Sequence, residues 1–213
     1  MPNSLGSLRY VCSVLAIVTC GFVLTAPAQQ PTAQPRSIKQ VFEEDQADRA
    51  NLDYSKITKE TWQKVLDRDS ARREETRQLL ASGAAKTGED FRDASFIFQH
   101  GHKPEDFLLA HVLAMAAITK GDATARFISA ATLDRYLQSL KQPQVFGTQY
   151  LLKDPNAVYK DPKALRDITQ DPYDNAAVSD SLRKVFCVEA YAAQQQDIAA
   201  MKEGKNPQPP SCQ

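Results

Sequence analysis

Two pairs of oppositely charged residues stand on the apolar faces of predicted helices. Asp45 and Arg49 are four residues apart, and so are Asp69 and Arg73. Each pair keeps the helical spacing of the hydrophobic residues around it, so both pairs are predicted to face the protein interior. Because an isolated buried charge is costly, the carboxylates and guanidiniums must pair with each other or with other polar groups.

Further polar side chains are candidates for the same cluster. They are Gln46, Gln99, His100 and Gln149, with Asp134 as another acidic group on an apolar face. Two interpretations fit this pattern. The charges either form a buried network that fixes how the helices pack, or they line a polar cavity that serves as a site. General acid–base chemistry by Asp45, Asp69 or His100 belongs to the second interpretation, although no specific spacing supports it.

The three histidines raise the question of a metal site. His100 and His102 are two residues apart, and His111 lies in the following predicted helix. The common zinc signal places two histidines four residues apart around a glutamate, and this chain lacks it. His111 on an apolar stripe is typical of a hydrogen-bonded core histidine. We therefore expect no metal ion and no cofactor.

Several other chemistries lack a signal in the sequence. There is no Gly-x-Ser-x-Gly turn and no glycine-rich phosphate loop. Lys+Arg and Asp+Glu both number 26, for a formal net charge of +0, so nothing in the charge favours nucleic acid. The expected partner is an unknown small molecule or protein.

The N-terminus has the pattern of a signal peptide over residues 1–28. Arg9 precedes an apolar run over 11–25, and Ala26-Pro27-Ala28 is a small-x-small cleavage signal. The run is shorter than the roughly 20 residues that a membrane span needs. A periplasmic or secreted protein is predicted, with an uncleaved membrane anchor as the alternative, and residues 29–36 are expected to form a disordered spacer.

Cleavage would leave two cysteines, Cys187 and Cys212. In an oxidising compartment this even pair is predicted to form a disulfide, because the tail over 204–213 is long enough to fold back. Two unrelated thiols are the alternative. Cys187 itself is predicted to lie in the middle of a helix.

The rest of the chain predicts one mainly α-helical domain over 37–203. Glycines, prolines and N-capping residues divide it into six helices, at about 37–52, 58–80, 89–100, 104–120, 122–142 and 175–203. Alanines face each other across the fourth and fifth helices, which gives a repeat-like hairpin in a compact bundle. A small β-hairpin is expected near 144–160, in which residues 157–160 could pair with residues 145–152.

Several of these segments together resemble a known family. They are Asp45-Gln46-x-x-Arg49, Asp69 with Arg72-Arg73, Phe98-Gln99-His100-Gly101, Leu109-Ala110-His111 and the segment from Pro143 to Gln149. The set resembles a bacterial domain-of-unknown-function family, number 6624, over about residues 40–190. The resemblance implies a fold and a polar signature, and no reaction, because the family has no established activity.

Two functions are compatible with these sequence features. The first is an exported, non-catalytic binding or interaction module with an inward Asp/Arg/Gln/His cluster. The second is a hydrolase-like enzyme that uses the inward carboxylates and His100. An enzyme needs a solvent-open pocket reached by a carboxylate or a histidine, whereas a sealed ion network favours the binding module.

Overall fold

Side-chain caps set where the first three helices begin in the computed structural model, which describes residues 36–52, 56–152 and 167–205. Ser37 and Gln40 form a reciprocal capping box at the start of α1 (Ile38–Ala50). The Thr58 hydroxyl accepts a hydrogen bond from the Thr61 amide at the start of α2 (Lys59–Ala81). Thr87 and Asp90 form a second capping box before α3 (Gly88–Phe98). These starts agree with the predicted helices within about two residues.

The middle of the chain forms the expected helical hairpin. Pro104 stands at the first position of α4 (Pro104–Thr119), and a single 3-10 turn (Ala123–Ala125) leads into α5 (Arg126–Ser139). Ala114, Ala117 and Ala125 are fully buried where these helices meet. Their small side chains let the two helices approach closely, which confirms a mainly α-helical bundle with a small-residue interface.

The last predicted helix is wrong in one respect, because it is two helices. They are α6 (Asp180–Val185) and α7 (Tyr191–Lys202). Cys187 adopts a φ of 59°, and the Val188 amide donates to the Arg183 carbonyl at 2.9 Å. This left-handed turn ends α6 in the manner of a C-cap. Cys187 therefore lies between two helices and not in the middle of one.

The small β element has a partner further along the chain than residues 157–160. Leu151–Leu152 (β1) pairs with Ile168–Thr169 (β2) in an antiparallel sheet, with Leu151 opposite Thr169. Residues 153–166 lie outside the described residues, so the suggested pairing of 157–160 does too. The same holds for the predicted leader over 1–28, for Cys212 and for most of the spacer and tail.

The core runs along the contact between α3 and α4. Ala94, Ile97, Phe98, Ala110 and Leu113 are buried there, and Val41 of α1 packs against them. α1 also packs on α2 and α3, which brings the charged stripes of the first two helices together. Among the described helices, none combines the length and the apolar character that crossing a membrane requires.

Candidate functional site

Asp45 lies at the buried end of the polar cluster. Its side chain is fully buried at 0% exposure on the inner face of α1. Oδ1 accepts hydrogen bonds from Arg49 Nη1 at 2.9 Å and from the His100 ring, whose Nδ1 lies 3.1 Å away. Oδ2 accepts from Gln46 Nε2 at 2.8 Å. Both oxygens of this carboxylate are thus occupied by protein donors.

Arg49 joins α1 to α2. Its Nη2 donates to Asp69 Oδ2 at 2.8 Å, and its Nη1 lies 3.4 Å from Asp69 Oδ1 while also bonding Asp45. Asp69 is 3% exposed, and the guanidinium of Arg72 donates to its Oδ1 at 3.0 Å. Charge-assisted bonds with such geometry are the strong class of protein hydrogen bond.

The network continues toward the surface through Asp48. Its Oδ2 accepts from Arg68 Nε at 2.6 Å and forms a short contact with Arg72 Nη2. Burial raises the pKa of Asp48, but the hydrogen bonds from Arg68 and Arg72 outweigh it and hold the pKa below its usual value. Three carboxylates (Asp45, Asp48, Asp69) and three guanidiniums (Arg49, Arg68, Arg72) therefore balance in charge.

His100 follows the C-terminal end of α3 and points its ring at Asp45. Burial lowers the pKa of His100 more than the bond to Asp45 raises it, so the ring is neutral at pH 7. Because a carboxylate accepts at Nδ1, we assign the proton to Nδ1 and the free lone pair to Nε2. The imidazole is then oriented by a fully buried acid, an arrangement that suits a base as well as a binding group.

Arg73 differs from the prediction that paired it with Asp69. Its Nη1 donates to the His100 carbonyl at 2.7 Å, its Nη2 lies 3.5 Å from His102 Nδ1, and its Nε is 3.7 Å from Asp106 Oδ2. Arg72 takes the place beside Asp69, since residues three apart share a helix face as readily as residues four apart. Arg73 instead lines a separate cavity of about 220 Å³ with Arg77 and Lys103.

Gln99 and Gln149 do not join the Asp45 network. The Gln99 backbone caps α3, and its side chain forms no hydrogen bond with the described part of the chain. Gln149 is buried, and its Nε2 donates to the Ala131 carbonyl at 3.2 Å and to Thr148 Oγ1 at 2.9 Å. It lies against α5, so a single cluster holding all eight predicted side chains does not form.

Asp134 faces inward, as its stripe position indicates, yet its partners are not cations. Oδ1 accepts from the amides of Val145 at 2.8 Å and Phe146 at 3.0 Å, and Oδ2 accepts from the Thr148 amide at 2.9 Å. The Thr148 hydroxyl adds a fourth bond at 2.8 Å. Asp134 therefore holds the turn over 144–149 onto α5.

The turn over 144–149 also requires a glycine at position 147. Its φ is 82°, and a Cβ at this position would lie 2.1 Å from Gln194 Oε1 and 2.6 Å from Tyr173 Oη. Glycine is needed both for the backbone conformation and for the close approach. Gln194 Nε2 and Tyr173 Oη both donate to the neighbouring Phe146 carbonyl, at 2.9 and 3.1 Å.

Arg135 is a partly buried cation on α5 that was not predicted as a site residue. It lies on α5, and the Arg49 guanidinium is near enough to affect its ionisation. Burial lowers the pKa of Arg135, and the positive charge of Arg49 lowers it further. A signal was present in the sequence: Ile128, Ala131, Arg135 and Gln138 follow one helical stripe that changes from apolar to polar.

The other two histidines have separate environments. His102 is exposed beside Arg73, while the Nδ1 atom of His111 lies 2.8 Å from the Ser129 carbonyl between α4 and α5. Within the described ranges, no group of three His, Cys, Asp or Glu side chains is arranged to hold a metal ion. Cys187 is buried at 7% exposure, and its predicted bond to Cys212 stays a prediction because Cys212 is outside those ranges.

Comparisons with known proteins add no relative. No family model matches the chain, and no curated protein or solved structure matches it. The resemblance to family 6624 therefore stays a prediction based on the quoted segments.

Proposed function

We propose that this chain is an exported, non-catalytic binding module that receives a small molecule or a protein at its polar cluster. The single observation that carries the proposal is the saturation of the buried carboxylates. Asp45 accepts three side-chain hydrogen bonds, and Asp69 is held by Arg49 and Arg72. Carboxylates whose oxygens are occupied in this way hold the groups around them rigidly.

The groups that they hold reach the surface. The side chains of Arg49 and His100 are 19% and 16% exposed, above Asp45 and Asp69 at 0% and 3%. A fixed guanidinium edge and a fixed imidazole form a preorganised polar surface, which lowers the entropy cost of binding. The resemblance to family 6624 is part of the same proposal and supplies no reaction.

A thermal-shift screen of metabolites and peptides on the purified exported protein tests the binding function. A ligand of the native state raises the melting temperature by mass action. Each hit is then repeated with Gln46→Ala, at the edge of the cluster, and with Gln78→Ala, on an exposed part of α2. The proposal requires that Gln46→Ala weakens the shift and that Gln78→Ala leaves it unchanged. Equal shifts in all three proteins would place binding elsewhere.

Export is tested separately by N-terminal sequencing. A mature protein beginning at or near Gln29 is expected from the small-x-small signal. An intact Met1 on a membrane-bound product would show instead that the N-terminal segment is an uncleaved membrane anchor.

The hydrolase-like alternative has one observation in its favour, which is the bond between His100 and Asp45. A neutral imidazole whose Nδ1 is held by a carboxylate presents Nε2 as a general base. Ester, phosphoester and peptide substrates assayed with His100→Gln and with His102→Gln distinguish the two functions. Turnover that is lost only in His100→Gln would show that the hydrolase-like function, and not the binding module, is correct.

A further inference from the structure

Arg135 carries a buried donor that the described protein leaves without an acceptor. Its Nε is enclosed and forms no hydrogen bond. Arg135 as a whole is only partly buried, so part of the residue remains in contact with solvent. An enclosed charged group without a counter-charge is destabilising, and folded proteins rarely retain one without a use.

Gln138 repeats the pattern one turn further along α5. Its Nε2 is also enclosed and also lacks a partner in the described residues. Positions three apart on a helix lie on the same face. Two unsatisfied N–H donors, one of them on a charged group, therefore belong to residues on the same face of α5.

Nearby carboxylates are already committed to other donors. Asp45 and Asp69 are held by Arg49 and Arg72, and Asp134 is held by the turn that follows α5. The network of three carboxylates and three guanidiniums is balanced without Arg135. Arg135 thus contributes a positive charge that no carboxylate of the described residues balances, and the charge of Arg49 lowers its pKa further.

We infer that an anionic group of the ligand, a carboxylate or a phosphate, binds on the face of α5 where Arg135 and Gln138 carry unpartnered donors. The inference rests on the proposed binding function and names its ligand class. The planar guanidinium presents parallel N–H donors that match two oxygens of either anion, and the Gln138 amide donates to one of them. The positive field of Arg49 adds to the attraction.

Melting temperatures in phosphate and in acetate, at constant ionic strength, test this inference. The exported protein is compared with Arg135→Met and with Lys103→Gln, which removes a positive charge from the separate cavity near Arg73. Phosphate or acetate is expected to stabilise the wild type and Lys103→Gln in a concentration-dependent way. Arg135→Met is expected to weaken the apparent affinity by roughly tenfold or more, as loss of a charged hydrogen bond does. General salting effects cancel between variants.

Two further readouts make the result decisive. Without anion, Arg135→Met is expected to melt above the wild type, because it removes a charged group whose enclosed Nε lacks a partner. If that variant does not fold, Gln138→Met replaces it and is expected to weaken phosphate or acetate binding by several-fold, as loss of one hydrogen bond does. A stronger response to phosphate than to acetate identifies a phosphorylated ligand, and the reverse order a carboxylate.

Three outcomes would overturn the inference. One is an anion response that is the same in the wild type and in the α5 variant used. Another is a response lost in Lys103→Gln, which would assign the anion to the cavity near Arg73. The last is a neutral ligand whose stabilisation disappears in Gln46→Ala but persists in Arg135→Met. That last result leaves the proposed binding function standing, so the two failures are distinguishable.

Discussion

His100 Nδ1 lies 3.1 Å from Oδ1 of Asp45, a carboxylate with no exposed surface. The contact joins the end of α3 to the middle of α1 across 55 residues of chain. It fixes the orientation of the imidazole while burial keeps it neutral. The polar cluster therefore links helices that are distant in sequence, in addition to pairing charges along each helix.

Asp69→Ala is predicted to lower the free energy of unfolding by about 3–5 kcal/mol, because it strands the guanidiniums of Arg49 and Arg72. Asp67→Ala makes the same chemical change on the same helix, but at an exposed position whose side chain bonds only Gln63 among the described residues. Its expected cost is below about 0.5 kcal/mol. Urea denaturation of both variants measures the difference. Equal small losses would mean that Asp69 is solvated.

The pH dependence of stability is predicted to contain a contribution from His100. Its pKa in the folded protein lies below the ordinary value of 6.5, so the unfolded chain takes up the proton first. The contribution is complete above pH 6.5, is lost as the pH falls toward the folded pKa, and is constant below it. Melting temperatures from pH 7.5 to 5 should fall more for the wild type than for His100→Gln. An NMR titration placing the pKa of His100 at or above 6.5 would contradict the assignment.

Gly147→Ala is predicted to destabilise the protein more than Gly121→Ala. Both glycines have positive φ, 82° and 92°, so both substitutions incur backbone strain of about 1 kcal/mol. Only at position 147 does the new Cβ meet other atoms, with Gln194 Oε1 at 2.1 Å, whereas nothing lies within 4 Å at position 121. An additional loss of about 1–3 kcal/mol is expected from this overlap. Calorimetry compares the two, and equal losses would show that the turn over 144–149 is not closely packed.

Cys187 and Cys212 are predicted to be bridged in the exported protein, which would add about 3 kcal/mol by restricting the unfolded chain. Because Cys187 is buried, a free thiol there would resist alkylation in the native state. The alkylation is therefore carried out in denaturant without reductant and followed by mass spectrometry. Two alkylated cysteines in freshly purified material would exclude the bond.

Helical periodicity was sufficient to place Asp45, Asp69 and Asp134 inside, because a buried stripe is a local property of the sequence. It did not identify their partners. Arg72 and Arg73 are both within reach of a residue one turn earlier, and only the position of α3 decides that Arg73 turns to the His100 carbonyl. The turn over 144–149 binds α5 through Asp134, which no local pattern indicates.

The sequence does not indicate the break between α6 and α7 either. No proline or glycine occurs between 175 and 203, so the sequence predicts one continuous helix. Arg183 instead turns inward and donates to the Asn175 carbonyl at 2.8 Å and to the Phe146 carbonyl at 3.3 Å. Phe186 packs edge-on against Phe146 with the ring centroids 5.1 Å apart. These tertiary contacts override the local preference for helix.

A double-mutant cycle between Arg49 and Asp69 tests most directly whether this pair couples α1 to α2 within one buried network. Unfolding free energies are measured for the wild type, Arg49→Met, Asp69→Asn and the double variant. The Nη2–Oδ2 distance of 2.8 Å and the burial of Asp69 predict a coupling energy of about 1–3 kcal/mol. Losses that add within about 0.5 kcal/mol would contradict this coupling, since independent sites behave in that way.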